Sequence, residues 1–180
     1  MKFSRVFGLG LMGFTLILST PVAAEDEEVP TTYAFKSLSL ELASRAAWGA
    51  IAECRRQGFS VAVAVVDRGG NLQASLRDRF AGAHTPDTAF RKAWTSASFR
   101  QNTGDLAQLL KEGRVPSQVQ HVTGALLLGG GVMIQDGGGV LLGAIGVSGA
   151  PPGKSEQDSI DGACGLAGIA AIEEPLSFGD

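Results

Sequence analysis

The stretch from Phe59 to Arg77, FSVAVAVVDRGGNLQASLR, decides how this chain is built. Phe59 to Val66 is rich in β-formers, Arg68-Gly69-Gly70-Asn71 supplies a tight turn, and Leu72 to Arg77 extends again. Two such runs around a Gly-Gly turn predict a hairpin. Helices flank it on both sides. Upstream, Ser39 is a suitable N-cap, Glu41 favours the helix dipole, and Ala43, Ala46, Ala47, Ala50, Ile51 and Cys54 form an apolar stripe. Gly58 ends that helix in the C′ role. Downstream, a second helix is expected near Thr85, with Pro86 at N1, Asp87 in the first turn, and a stripe of Ala89, Phe90, Ala93, Trp94 and Ala97. A shorter helix is expected from Asp105 to Glu112.

The last third is punctuated by glycine. Ala125–Leu128, Val132–Gln135 and Val140–Val147 are short apolar segments separated by Gly129-Gly130-Gly131 and Gly137-Gly138-Gly139. They predict an antiparallel meander of three more strands. A Pro/Gly loop from Ser148 to Ser155 leads to a final helix, expected from about Glu156 to Ile172, with Ile160, Ala163, Cys164, Ala167 and Ala171 on its stripe. The sum is an α+β domain with one antiparallel five-stranded sheet and packed helices. The glycine runs lack the Gly-Lys-Ser/Thr and helix start of a phosphate loop, so they read as turn glycines. Gly143 and Gly146 read as sites of close packing.

Composition narrows the class. The 180 residues are 44% hydrophobic with 25 glycines, which excludes a disordered chain. Lys2 and Arg5, the apolar Val6–Leu18 and the small Val22-Ala23-Ala24 predict a signal peptide over residues 1–24. Residues 25–38 then form an acidic, flexible extension, and 39–180 a single domain. Loss of Lys2 and Arg5 lowers the basic count from 15 to 13 against 18 acids. That balance excludes nucleic acid as a partner, because phosphate neutralisation needs clustered cations. The apolar stretch of the leader is short for a span of roughly 20 residues, so no membrane span remains after cleavage. The product is expected in the periplasm or secreted. In an oxidising compartment the even pair Cys54 and Cys164 predicts a disulfide, with two free core thiols as the alternative.

His84 is the most informative polar residue. It precedes the second helix in a loop, with Arg77 and Arg79 before it and Arg91 and Lys92 after it, on the face opposite Ala93 and Trp94. A loop imidazole among cations suits a ligand that is partly apolar, carries carboxylates and offers a metal. Haem meets that description, with His84 as axial ligand to the iron. The plainer alternative is an exposed loop histidine among ordinary surface charges. His121 is either a second ligand or an incidental loop residue. No nucleophile–base constellation and no Gly-x-Ser-x-Gly elbow is present, and Asp158/Asp161 read as helix-start charge.

Two sets of motifs carry a family resemblance. Val63-Ala64-Val65-Val66-Asp67-Arg68-Gly69-Gly70-Asn71-Leu72, then Arg77, His84-Thr85, Ala89 and Arg91-Lys92-Ala93, resemble the first half of a GlcG/HbpS-type domain. Gly129-Gly130-Gly131-Val132-Met133-Ile134, Gly143 to Ala150 and Gln157-Asp158 resemble the second half, over roughly Ser39 to Ile172. The family is also labelled the haem-degrading domain and is similar to the C-terminal domain of PduO. It often has proline where this chain has Met133. The resemblance implies a profilin-like fold, a homo-oligomer, haem or a related tetrapyrrole as ligand, and a sensor or transport partner for exported members. On it, His84 holds iron, Arg77, Arg91 and Lys92 attract propionates, and Thr85 lines the site. The expected function is haem storage, transport or sensing. Slow haem degradation or other small-molecule turnover, or a ligand-free interaction subunit, are the competing classes.

Overall fold

The computed structural model describes residues 30–177. The expected signal peptide and residues 25–29 of the expected extension lie outside that range. The chain divides after Ala34, and the described residues from Phe35 onward form the folded unit.

Helix α1 (Leu40–Arg56) begins where Ser39 Oγ accepts the Leu42 N–H at 3.3 Å. All six residues of its expected stripe are buried. The chain leaves it through Gly58, whose φ of +86° is the left-handed conformation a C′ glycine adopts. Next come β1 (Ala62–Asp67), β2 (Leu72–Arg77), α2 (Thr85–Phe99) and α3 (Thr103–Lys111). A 3₁₀ turn (Ser117–His121) precedes β3 (Gly131–Gln135), β4 (Leu141–Ser148), α4 (Ile160–Ala170) and α5 (Glu173–Ser177).

The sheet has four strands in the order β2-β1-β4-β3, with every neighbouring pair antiparallel. Alternation along β1 builds two cores. Val61, Val63 and Val65 pack with α1, α4, Ile145 and Val147 on one face, while Ala62, Ala64 and Val66 pack toward Ala89 and Ala93 of α2 on the other. The result is three layers. Helix α2 lies so close to β4 that a Cβ at Gly146 would overlap the Ala89 carbonyl oxygen and sit 2.6 Å from the Ala93 nitrogen. The expected close-packing role of Gly146 is thus met.

On the opposite face α1 and α4 meet through small residues. A Cβ at Gly49 would come within 2.9 Å of Ala171 Cβ, and one at Gly168 within 3.0 Å of Ala50 Cβ. That approach brings the Cα atoms of Cys54 and Cys164 to 5.6 Å, and a disulfide joins them. The two free thiols of the alternative reading are not found.

Three expectations are corrected. The sheet has four strands, not five, because Ala125–Leu128 joins no ladder. Its backbone is satisfied by side chains instead: Thr95 Oγ1 accepts the Leu126 N–H at 2.8 Å, Arg91 Nη2 donates to the Ala125 oxygen at 3.0 Å, and Thr103 Oγ1 donates to the Leu128 oxygen at 2.7 Å. The last helix begins at Ile160 rather than Glu156, since Ser159 Oγ caps it by accepting the Gly162 N–H at 3.0 Å. Gly129–Gly131 is a packing seam at the entry to β3, where Gly130 has φ +122° and a Cβ at Gly131 would lie 2.6 Å from Thr103 Cγ2. Met133, where the family often has proline, uses its N–H to donate to Asn102 Oδ1 at 3.0 Å.

Candidate functional site: a cationic cleft at the start of α2

The loop between β2 and α2 is tied at both ends. Arg55 of α1 makes two hydrogen bonds to the buried Asp78 carboxylate, at 2.7 and 3.0 Å. That guanidinium, outweighing burial and helped by the Arg79 N–H, holds Asp78 below the usual carboxylate range. Arg77 donates to the Ala81 oxygen, and the Ala81 N–H donates to the Asp78 oxygen at 3.1 Å. Buried Thr85 closes the far end by donating its hydroxyl to the Gly82 oxygen at 2.8 Å.

His84 stands at the N-cap position of α2 but makes no side-chain cap bond, so its imidazole is exposed and uncommitted there. Its ring rests where Gly82 has no side chain: a Cβ at Gly82 would be 2.8 Å from His84 Cε1 and 3.0 Å from Nδ1. From His84 a cleft of about 650 Å³ runs along α2, within the usual range of small-ligand sites. It is walled by Leu126, Leu128 and Gly129 and by the loop from Ser148 to Ser155, and Arg91, Lys92 and Lys111 also line it.

The structure therefore brings His84, Arg91 and Lys92 together, and leaves Arg77 and Thr85 off the lining as braces of the His84 loop. His121 ends the 3₁₀ turn, exposed and away from the cleft. Lys92 is not on the outer face of α2 as expected. It is 1% exposed, and its ammonium donates to Asp161 Oδ2 at 2.9 Å and the Val147 oxygen at 3.0 Å. A buried ammonium needs such partners, since desolvation without them costs several kcal/mol. Asp161 is accordingly more than helix-start charge. A Cβ at Gly130 would sit 3.0 Å from Lys92 Nζ, so that glycine makes room for the pair.

Sequence reasoning missed Lys111, Lys154, Glu156 and Asp161, all of which line the cleft. Their positions follow no local pattern, because they come from α3, a Pro/Gly loop and α4. The charges sort themselves by pairing. Asp161 is matched by Lys92, and the Glu156 carboxylate accepts the Gly129 N–H at 2.6 Å. Arg91 (whose guanidinium donates to the Ala125 oxygen), Lys111 and Lys154 outnumber the one lining carboxylate without a cation partner, Glu156, so the field favours an anionic ligand. Among the described residues no group of three or more His, Cys, Asp or Glu gathers to hold a bare metal ion. The donor set does fit an iron porphyrin: one imidazole for the metal, leucine and proline side chains for the ring, and cations for its carboxylates.

Fold and cleft define a small α+β domain of three layers with a cationic cleft. The chain belongs to the HbpS-like family of haem degrading proteins, whose family model matches residues 38–169. A double mutant of HbpS from Streptomyces reticuli has a similar crystal structure, with TM-score 0.68, 35% identity, and coverage of 86% of this chain and 97% of that one. Protein ORFY of Klebsiella pneumoniae is similar at TM-score 0.69 and 26% identity, covering 81% of this chain and 99% of its own. The PduOC:haem complex is similar at TM-score 0.64 and 25% identity, over 76% of this chain and 95% of that one. No curated protein matches the chain. No helix among the described residues is long and apolar enough to cross a membrane.

Proposed function

We propose that this protein binds haem or a related tetrapyrrole in the cleft, as an exported protein that stores, carries or senses haem. The observation that carries the reading is the uncommitted His84 imidazole at the mouth of a cleft lined by Arg91, Lys111 and Lys154. The haem complex of the similar PduOC supports it. Bound there, the porphyrin would supply an iron centre with redox and oxygen chemistry. The chain supplies position: His84 would hold the iron, Arg91 and Lys111 would attract the propionates, and Leu126, Leu128 and Pro151 would shield the ring. Arg77 and Thr85 act by bracing the loop that carries His84, and Lys92 by neutralising Asp161.

The leader-like residues 1–24 and the Cys54–Cys164 disulfide support export to the periplasm or outside the cell. The profilin-like description of the fold, a homo-oligomer, and a sensor or transport partner complete the proposal on the family resemblance. Titration of the mature protein with haemin tests the ligand. Wild type is expected to develop a shifted Soret band, and His84→Ala to lose or shift it with unchanged circular dichroism. An identical spectrum in the variant removes His84 from the role. Slow haem degradation is a second reading, favoured by the family's description; loss of the Soret band with product release, under a reductant and oxygen, would support it.

A further inference from the structure

The loop from Gly149 to Asp158, which builds one wall of the cleft, is tied down at very few points. Among the described residues its backbone makes no hydrogen bond to the backbone of another element. Two carboxylates do the tying. Glu156 Oε2 accepts the Gly129 N–H at 2.6 Å, and Asp161 Oδ1 accepts the Ala150 N–H at 3.0 Å. The second tie holds the part of the wall that Ala150 and the two prolines after it give to the cleft. Asp161 is itself fixed from behind. Its other oxygen is held by Lys92 Nζ at 2.9 Å, and Lys92 also donates to the Val147 oxygen at 3.0 Å, on the strand that leads into the loop.

The geometry points to Lys92 and Asp161 as a positioning pair that sets the cleft wall and, through it, ligand affinity. This rests on the cleft being the binding site, but not on haem being its ligand. Stability alone gives a poor account of the pair. A buried ion pair contributes little net stability against apolar residues of similar size, whereas each carboxylate oxygen here is aimed at a separate element. A charge-assisted hydrogen bond lost from the wall shifts its opening equilibrium by about tenfold or more.

The test uses the ligand-free protein first. Hydrogen exchange is compared between wild type, Asp161→Asn, and the doubly apolar Lys92→Met/Asp161→Leu, which leaves no unpaired buried charge. The Ala150 amide, whose N–H is held by Asp161, is expected to exchange about tenfold faster in the double variant, with β1 and α1 as protected as before. In Asp161→Asn the Ala150 amide is expected to speed up, and adding Lys92→Met to it should restore it, because the side-chain oxygen at position 161, no longer taken by Lys92, can then accept the Ala150 N–H. Should the apolar double variant not fold, the Asn pair carries the comparison. Unchanged exchange at Ala150 overturns the inference, whatever happens to binding. Haemin is the second probe, with affinity expected to fall about tenfold in Asp161→Asn. A wild type that binds no haemin sinks the haem reading and leaves the wall tested by exchange. Fast exchange with wild-type haemin affinity sinks the link between wall and ligand.

Discussion

Gly82 and Gly146 show how differently two glycines can matter. At Gly146 the missing Cβ makes way for the backbone of α2, which cannot yield. At Gly82 it makes way for the His84 imidazole, the far end of a rotatable side chain. Gly82→Ala is therefore expected to change stability by no more than about 0.5 kcal/mol, as exposed substitutions do. It should still turn the ring away and lower haemin affinity several-fold. Thermal melts and a haemin titration on the same sample check both halves. A large loss of stability, or an unchanged affinity, would show that the imidazole does not rest where the geometry puts it.

At the level of elements, α1 and α4 are held together twice, by small-residue packing and by the Cys54–Cys164 bond. The bond closes 110 positions of chain. In the chain-entropy model a loop of that length corresponds to about 4.7 kcal/mol, an upper guide because residual unfolded structure lowers it. Reduction is expected to move the urea midpoint strongly downward, by an amount matched in Cys54→Ala/Cys164→Ala. Thiol counting under denaturant without reductant should find none. The α1 stripe was legible as a 3.6-residue repeat. The α4 stripe was not, since Ala163 and Ala171 are exposed and Cys164 shares the buried face with Asp161, Gly162, Gly165 and Gly168. The missing strand at Ala125–Leu128 was not legible either. An apolar run of four residues looks the same whether a neighbouring strand or the side chains of Arg91, Thr95 and Thr103 satisfy its backbone.

For the whole molecule, acid is the informative perturbation. Arg55 and Asp78 join α1 to the His84 loop, and Asp78 has its folded pKa below the ordinary value of 3.8. Its contribution is thus complete above about pH 4 and is lost as pH falls through the folded pKa. Glu53, held down to about 2 by hydrogen bonds from Arg56 and Gln57, acts in the same direction. Its partner Arg56 is 72% exposed, so salt screens that pair more. Asp78→Asn is expected to melt lower than wild type at pH 7 and to lose less on going from pH 4 to pH 2. A parallel pair of Tm–pH curves would remove Asp78 from the acid response. Self-association belongs to this scale too. Light scattering on the mature chain is expected to give a multiple of the 156-residue mass, and a clean monomer at tens of micromolar would end that proposal.

By itself, the sequence determined the helices, the hairpin and the α+β class, because periodicity, caps and turn glycines act over a few residues. It also marked His84 and Arg91, since a loop position before an N-terminal proline and a nearby cation are local facts. Only the tertiary structure decided the strand count, the burial of Lys92 and the membership of Lys111, Lys154, Glu156 and Asp161 in the cleft. The physical reason is the same in each case. Whether a backbone amide or a charge is satisfied depends on groups brought from distant segments: Asp161 lies 69 positions from Lys92. No window along the chain contains both partners, so their pairing is a property of the packed layers alone.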